Sequence, residues 1–303
     1  MKSYQRVFIF VLLVLLLTAL LSPWVVALWS GIIEANPGWE EYRYPFSRIF
    51  NRLFMILGIG LFFLFRLLLK IDSMSQLGLQ PLQQGYRDIL NGFLLALASV
   101  IALVVAMSLS QVFTPFFRLP LSTALERSLS ALMAALTVGL LEGIFFRGMI
   151  FKGLMEDWKP VSAFVAANLF FSAIHFVKPG EDLSLSSVGP WSGLVYLGQS
   201  FQPFLNPAIL LPGLLGLFLI GLVLSYAFLR TGSLYLSIGL HAGWIFGLKT
   251  MRVYGDFRRD DLGWIFGASD PKIVSGVATW IGIIVVGILV HCVTRKRHNR
   301  NLE

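Results

Sequence analysis

This chain of 303 residues has few charged side chains, four histidines and a single cysteine. Charged residues make up 13% of it, against about 25% in soluble domains. The lone Cys292 excludes an internal disulfide framework and a cysteine-rich metal site. Hydrophobic residues make up 56%, and the mean hydropathy is +0.77. The composition therefore predicts an all-α polytopic membrane protein.

Several catalytic signatures are also missing. The sequence has no His-Glu-x-x-His zinc motif, no Gly-x-Ser-x-Gly nucleophile motif and no glycine-rich phosphate loop. No aspartate lies in an apolar run, which excludes an aspartic dyad within the membrane. No apolar run pairs a serine convincingly with a histidine or lysine base. A hydrolytic site in the membrane would have to use other residues.

The net charge of +8 comes largely from short stretches beside the apolar runs. The tail at residues 294–300 alone contains four Lys and Arg residues. This pattern is typical of the positive-inside rule and of contact with anionic lipid. It predicts the lipid bilayer as a partner and argues against nucleic acid.

Apolar runs predict about eight transmembrane helices, because a hydrocarbon core of about 30 Å needs about 20 apolar residues per helix. The predicted spans are residues 7–29, 53–69, 92–113, 131–151, 161–177, 207–229, 232–249 and 274–293. The first could instead be a signal peptide, but its apolar run is long and no A-x-A site follows, which favours a retained helix.

We predict three regions along the chain. Residues 1–91 would hold two transmembrane helices and an amphipathic connection, residues 92–250 one core bundle, and residues 251–303 a loop, the last helix and a basic tail. An even number of spans places both termini on one side, and the basic ends predict that this side is cytoplasmic. The loop at 249–272 fits less well, since it would lie outside yet has five Lys and Arg residues against four Asp.

Glu142, His175 and His241 are ionisable residues that lie within the predicted spans. An ionisable group at the bilayer centre costs on the order of 2.5–3.5 kcal/mol on insertion scales, so each predicts a functional site. A glutamate and two histidines can activate water, with or without a metal ion. Helix contacts or interfacial positions are the structural alternatives. Together the three predict one inward-facing hydrolytic site.

Three further polar residues accompany them. Arg147 follows Glu142 by five residues, about 140° around an α-helix, so it would pair with the carboxylate only in a bent geometry or else extend to the interface. Asn168 shares a helical face with His175. Ser172, one turn before His175, could bond to the backbone or to the imidazole. We predict Arg147 as part of the site and the other two as supporting residues.

These residues resemble the three motifs of the CPBP family, the group of CAAX prenyl protease 2 and lysostaphin-resistance-protein-A-like membrane proteins. The matching segments are Glu142-Gly-Ile-Phe-Phe-Arg147, Phe171-Ser-Ala-Ile-His175 and His241, within roughly residues 92–250. The resemblance implies a conical intramembrane active-site cavity. It also implies that Glu142 and His175 activate a water molecule and that His241 stabilises the oxyanion. No cofactor is required by this mechanism, although Glu142, His175 and His241 could hold zinc.

Two positions depart from the family pattern. The second glutamate of the first motif is replaced by Gly143, which removes the natural i,i+4 partner of Arg147. The asparagine of the third motif is replaced by Ile245, which has no hydrogen-bond donor. An oxyanion site would then depend on His241 and another group.

We therefore predict an intramembrane endopeptidase acting on a membrane protein or peptide, located in a bacterial cytoplasmic membrane. A non-catalytic scaffold or immunity protein of the same family is the first alternative, which the two departures favour. A carrier that uses the glutamate and histidines as a proton relay is the second, although the sequence lacks clear inverted repeats.

Overall fold

The computed structural model describes residues 2–65, 71–177, 188–259, 261–267 and 273–300. These residues are almost entirely helical. The α-helices are α1 (Ser3–Ala35), α2 (Phe46–Phe65), α3 (Leu82–Leu109), α4 (Leu121–Glu142), α5 (Lys152–Asp157), α6 (Pro160–Ile174), α7 (Ser192–Gln199), α8 (Pro207–Thr231), α9 (Tyr235–Met251), α10 (Gly263–Phe266) and α11 (Val277–Arg300). A π-helix, Gly143–Phe151, joins α4 to α5, and 3₁₀ turns occur at Pro37–Tyr42, Met74–Leu77, Gln202–Leu205 and Ile273–Ser275.

Each of the eight predicted spans coincides with a helix. In the described part of the chain, six helical segments are long and apolar enough to cross a membrane. They are Ser3–Ala35, Phe46–Phe65, Met74–Leu109, Leu121–Asp157, Leu210–Thr231 and Val277–Arg295. The other two, α6 and α9, have 15 and 17 residues. The prediction of an all-α polytopic membrane protein is confirmed. Residues 66–69 of the second predicted span lie outside the described residues.

The chain divides into two compact units. The first unit comprises Met1–Asp72 and Ala173–Leu210. In it, α1 packs against α2 and α7 around a core of buried aromatic and aliphatic side chains, in which the rings of Phe46 and Phe50 lie 5.1 and 4.8 Å from that of Tyr196. A side chain at Gly193 would collide with the carbonyl of Ala19, so a glycine is needed where α7 meets α1.

The second unit comprises Ser73–Ser172 and Leu211–Glu303, and α9 is its central helix. All ten residues from 235 to 244 are buried. Glycines spaced four apart on α9 let α3 approach closely, because a β-carbon at Gly239 or Gly243 would collide with the backbone of α3 at Ile89 or Phe93. Such small-residue contacts are the usual means of close helix packing in membranes. They hold α9 rigidly in place.

Two short strands close one end of the second unit. β1 (Phe113–Pro115) follows α3, β2 (Gly255–Phe257) follows α9, and the two pair antiparallel with Phe113 opposite Phe257. The pairing joins the loops that follow α3 and α9, the two helices with the most extensive contact among the described elements. The predicted domain boundary at residues 91 and 92 falls inside α3.

Candidate active site

Glu142 is the last residue of α4, where the helix changes its hydrogen-bonding pattern. The nine residues that follow, Gly143–Phe151, form a π-helix. A π-helix bonds each carbonyl to the amide five residues on, and such segments occur frequently at functional sites. Residues five apart are therefore neighbours across one turn, unlike in an α-helix. This corrects the expected 140° separation of Glu142 and Arg147, which assumed a regular α-helix.

His241, the histidine of the third motif, lies in the middle of α9 and is 7% exposed. Its Nε2 atom is 3.8 Å from Oε2 of Glu142. The side chain of Glu142 keeps 27% of its surface accessible, against 9% for that of His241. The structure thus brings together two of the three predicted ionisable groups, from helices almost one hundred residues apart in sequence. A partly accessible carboxylate facing a buried imidazole is suited to holding and deprotonating water.

Close contact between α4 and α9 makes this pairing possible. A β-carbon on Gly139 would lie 3.1 Å from the carbonyl oxygen of Ile238, and one on Gly143 would lie 3.1 Å from Cγ1 of the same residue. Gly143 is the position where the family pattern has a second glutamate. A β-carbon at this position would be in tight contact with Ile238, whose side chain would have to shift by a few tenths of an ångström.

Arg147 is completely buried, with 0% exposure, and does not extend to the interface. Its Cζ atom lies 4.3 Å from the centre of the Phe171 ring and 5.9 Å from that of Phe146. Among the described residues, none of its three guanidinium nitrogens has a hydrogen-bond partner. The carboxylate of Glu142 attracts it electrostatically. Arg147 is therefore a buried cation held by aromatic faces and by the charge of the candidate base.

Phe171 connects the three motifs, although sequence reasoning did not single it out as a site residue. Its ring is perpendicular to that of Phe146, at 5.0 Å, and edge-on to His241, at 6.0 Å. One face of the ring also accepts the guanidinium of Arg147. Its place as the first residue of the second motif was the signal that could have identified it.

Asn168 and Ser172 have structural partners. The amide of Asn168 donates to the carbonyl of Phe164, and its Oδ1 accepts a bond of 2.8 Å from Ser225. The hydroxyl of Ser172 donates to the carbonyl of Leu214, at 2.6 Å. Of the two partners expected for Ser172, the structure selects the backbone. Both residues join α6 to α8 and so support the helix that ends in the second motif.

His175 is half-buried in the turn after α6. It belongs to the first compact unit, which resumes at Ala173, whereas Glu142, Arg147 and His241 belong to the second. Its catalytic role stays a prediction. Ile245, one turn beyond His241 in α9, is also half-buried and contributes only hydrocarbon.

Metal binding would need a third ligand beside Glu142 and His241. Within the described ranges, no three His, Cys, Asp or Glu side chains are grouped closely enough to hold a metal ion. Two cavities of the second unit, of about 300 and about 40 Å³, are lined by other residues. The predicted conical cavity at the motifs stays a prediction.

Comparison with protein families gave a match within the chain. Residues 124–247 match the family model described as type II CAAX prenyl endopeptidase Rce1-like. The match runs from α4 into α9 and includes Glu142, Phe171, His175 and His241. This match supports the resemblance of the segment to the CPBP group of CAAX-type membrane proteases. Comparison with curated proteins and with solved structures gave no match.

Proposed function

We propose that the protein is an intramembrane endopeptidase that hydrolyses a peptide bond of a membrane protein or membrane-associated peptide. The observation that carries the proposal is the 3.8 Å approach of Glu142 to His241 inside a segment that matches CAAX-type proteases. An ionisable pair of this kind is energetically costly among apolar helices, and its presence there argues for a chemical role.

In the proposed reaction, Glu142 acts as the general base. It takes a proton from water while the water oxygen bonds to the carbonyl carbon of the scissile peptide. Nε2 of His241 donates a hydrogen bond to the oxygen of the tetrahedral intermediate. When the carbon–nitrogen bond breaks, Glu142 returns its proton to the leaving amine. The resemblance also assigns His175 to water activation.

Arg147 has a positioning role in this scheme. Its buried charge stabilises the ionised form of Glu142, and the rigid ring of Phe171 fixes the guanidinium. The π-helix places the arginine one turn from the glutamate, although the second glutamate of the family pattern is absent. Because Gly143 has no side chain, no carboxylate at that position competes with Glu142 for the charge of Arg147.

The family resemblance favours a metal-free reaction, with zinc as the alternative. Glu142, His175 and His241 are the residues that would hold a zinc ion, which would supply a polarised water molecule. Activity that survives a membrane-permeant chelator supports the glutamate reaction. Activity lost on chelation and restored by zinc supports the metal alternative.

A bacterial cytoplasmic membrane with both termini inside is the proposed location. The basic residues at the two ends of the chain support this orientation. Cysteines introduced in the basic tail and near residue 38, in a Cys292→Ser background, would test it, since the proposal requires the two sites to react from opposite sides.

The proposal is tested by comparing membrane peptidomes of cells that lack the protein and are rescued with wild type or with Glu142→Gln. Wild type is expected to restore peptide termini that Glu142→Gln does not restore, since glutamine cannot accept the proton. Glu126→Gln, an exposed change on the same helix, is the matched control and should behave as wild type. Restoration of the peptide termini by Glu142→Gln would refute the proposed reaction.

A non-catalytic scaffold of the same family is the second candidate, favoured by Ile245 at the position of an oxyanion donor. It predicts identical peptidomes for wild type and Glu142→Gln, with any cellular phenotype rescued by both. The same peptidome experiment therefore distinguishes the two candidate functions.

A further inference from the structure

A cavity of about 300 Å³ lies in the second unit, away from Glu142 and His241. We call it the Lys152 cavity. Its lining comes from the turn before α3, from the end of the π-helix with α5, and from the end of α8. The lining residues are Ser75, Gln76, Gly78, Phe151, Lys152, Met155, Phe228, Leu229 and Gly232. Its volume is at the lower end of the range of small-molecule pockets.

The lining has a polar part and an apolar part. Among the described residues that line it, Lys152 is the one with a charge, and Ser75 and Gln76 are the polar side chains beside it. The remaining wall consists of aromatic and aliphatic side chains with two glycines. A site with one cation, two neutral polar groups and an apolar wall suits an amphipathic anion.

Lys152 has hydrogen-bonding capacity beyond its protein contact. Its ammonium donates to the carbonyl of Gln76, and an ammonium has three donors. In the part of the chain that the structure describes, no carboxylate lies within ion-pair distance of it. Glu156 and Asp157 follow on α5 but are exposed and do not line the cavity. A bound anion would therefore meet a cation without a competing carboxylate.

The backbone holds the shape of the cavity. Gly78 has a φ of +87°, and a β-carbon there would lie 2.6 Å from the Phe228 ring. Its carbonyl accepts a bond of 2.9 Å from the amide of Leu234, which ties the turn to the start of α9. Gly232, at the end of α8, also has a positive φ, +65°. These contacts favour a preformed site.

The cavity lies where basic residues accumulate. Arg230 directly follows the lining residue Leu229, and its Nε donates to Thr294 near the end of α11. Arg295 and the basic tail follow directly, and the positive-inside rule predicts that this end faces the cytoplasm. Basic pockets between transmembrane helices on that side are typical sites for anionic lipid headgroups.

We propose that the Lys152 cavity binds an anionic phospholipid, with the lipid phosphate at Lys152 and the start of an acyl chain against Met155 and Leu229. Such a lipid would hold the π-helix, the turn before α3 and the end of α8 together. The proposal is independent of peptidase activity.

Native mass spectrometry of the full-length protein in detergent tests it, with short-chain phosphatidylglycerol, phosphatidylcholine of equal chain length and inorganic phosphate as probes. Phosphatidylglycerol is expected to bind wild type in preference to the other two. Lys152→Gln keeps a donor for Gln76 but removes the charge, and should weaken that binding about fivefold. Lys159→Gln removes an exposed charge near the same end and should bind as wild type.

A second variant, Met155→Trp, fills the cavity and should weaken binding even if Lys152→Gln proves unstable. Glu142→Gln should bind phosphatidylglycerol as wild type, which separates this proposal from the peptidase proposal. Unchanged binding in a folded Lys152→Gln or Met155→Trp protein would overturn the proposal. Equal binding of phosphatidylcholine would also overturn it. Displacement of the lipid by equimolar inorganic phosphate would overturn the lipid assignment in favour of a free phosphate site.

Discussion

Replacing Arg147 by methionine separates a functional role of this residue from a structural one. The guanidinium is fully buried, and its contact with Phe171 at 4.3 Å is worth about 2 kcal/mol when desolvated. Against this, each buried donor without a partner costs about 1–3 kcal/mol, and Arg147 has three such nitrogens among the described contacts. The cost of the donors exceeds the gain from the aromatic contact.

We therefore expect Arg147→Met to leave the free energy of unfolding unchanged or to raise it by about 1–4 kcal/mol, as seen when buried charges are replaced by apolar residues. Activity should fall, because Glu142 loses the cation that stabilises its charge. Thermal unfolding of the purified protein and restoration of peptide termini in cells measure the two effects. Arg127→Met, an exposed change on α4, is the matched control for both.

Two results would refute this reasoning. A loss of more than about 2 kcal/mol of stability would mean that the aromatic contacts outweigh the unpaired donors, and that the arginine is mainly structural. Full activity with unchanged stability would mean that Glu142 does not need the cation. The conservative variant Arg147→Lys should retain part of the activity, since it keeps the charge but loses the planar contact with Phe171.

Two other predictions concern the departures from the family pattern and the packing of α9. Ile245→Asn restores a donor one turn after His241 and should raise turnover by up to about a thousandfold, since such a donor is worth roughly 2.7–4 kcal/mol. Peptidomes at matched expression measure the increase, and Leu248→Asn should give none. Gly243→Ala should lower the free energy of unfolding by about 1–3 kcal/mol, because its β-carbon would collide with the carbonyl of Phe93. Gly60→Ala, at a helix position with no atom within 4 Å, should show no such loss in thermal unfolding, since alanine has the higher helix propensity. An equal loss would mean that the collision with Phe93 is not the cause of the loss at Gly243.

Hydropathy predicted the helices from the sequence alone, and motif spacing predicted the family resemblance that the match over residues 124–247 supports. Every predicted span coincides with a helix because a long apolar run is a local property of about 20 residues. Glu142 and His241 were identifiable for a related reason, since an ionisable residue in such a run stands out without knowledge of its neighbours. The family match over residues 124–247 agrees with the motifs read from the chain.

Only the tertiary structure showed how these residues are arranged. The π-helix after Glu142 is not visible in the apolar pattern, because it changes which residues share a face without changing hydrophobicity. Likewise, Arg147 could have extended to the interface, and its position over Phe171 depends on a ring from α6.

For the polar and small residues too, the sequence identified the residue and the tertiary structure determined its contacts. Ser172 donates its hydrogen bond to the backbone carbonyl of Leu214, 42 residues away, and not to the imidazole of His175. The tight space at Gly143 comes from the side chain of Ile238 on α9. The sequence by itself determined which segments enter the membrane and which residues are chemically unusual there, since both depend on local composition. The tertiary structure decided their partners, because contacts between distant helices depend on packing geometry that no local pattern contains.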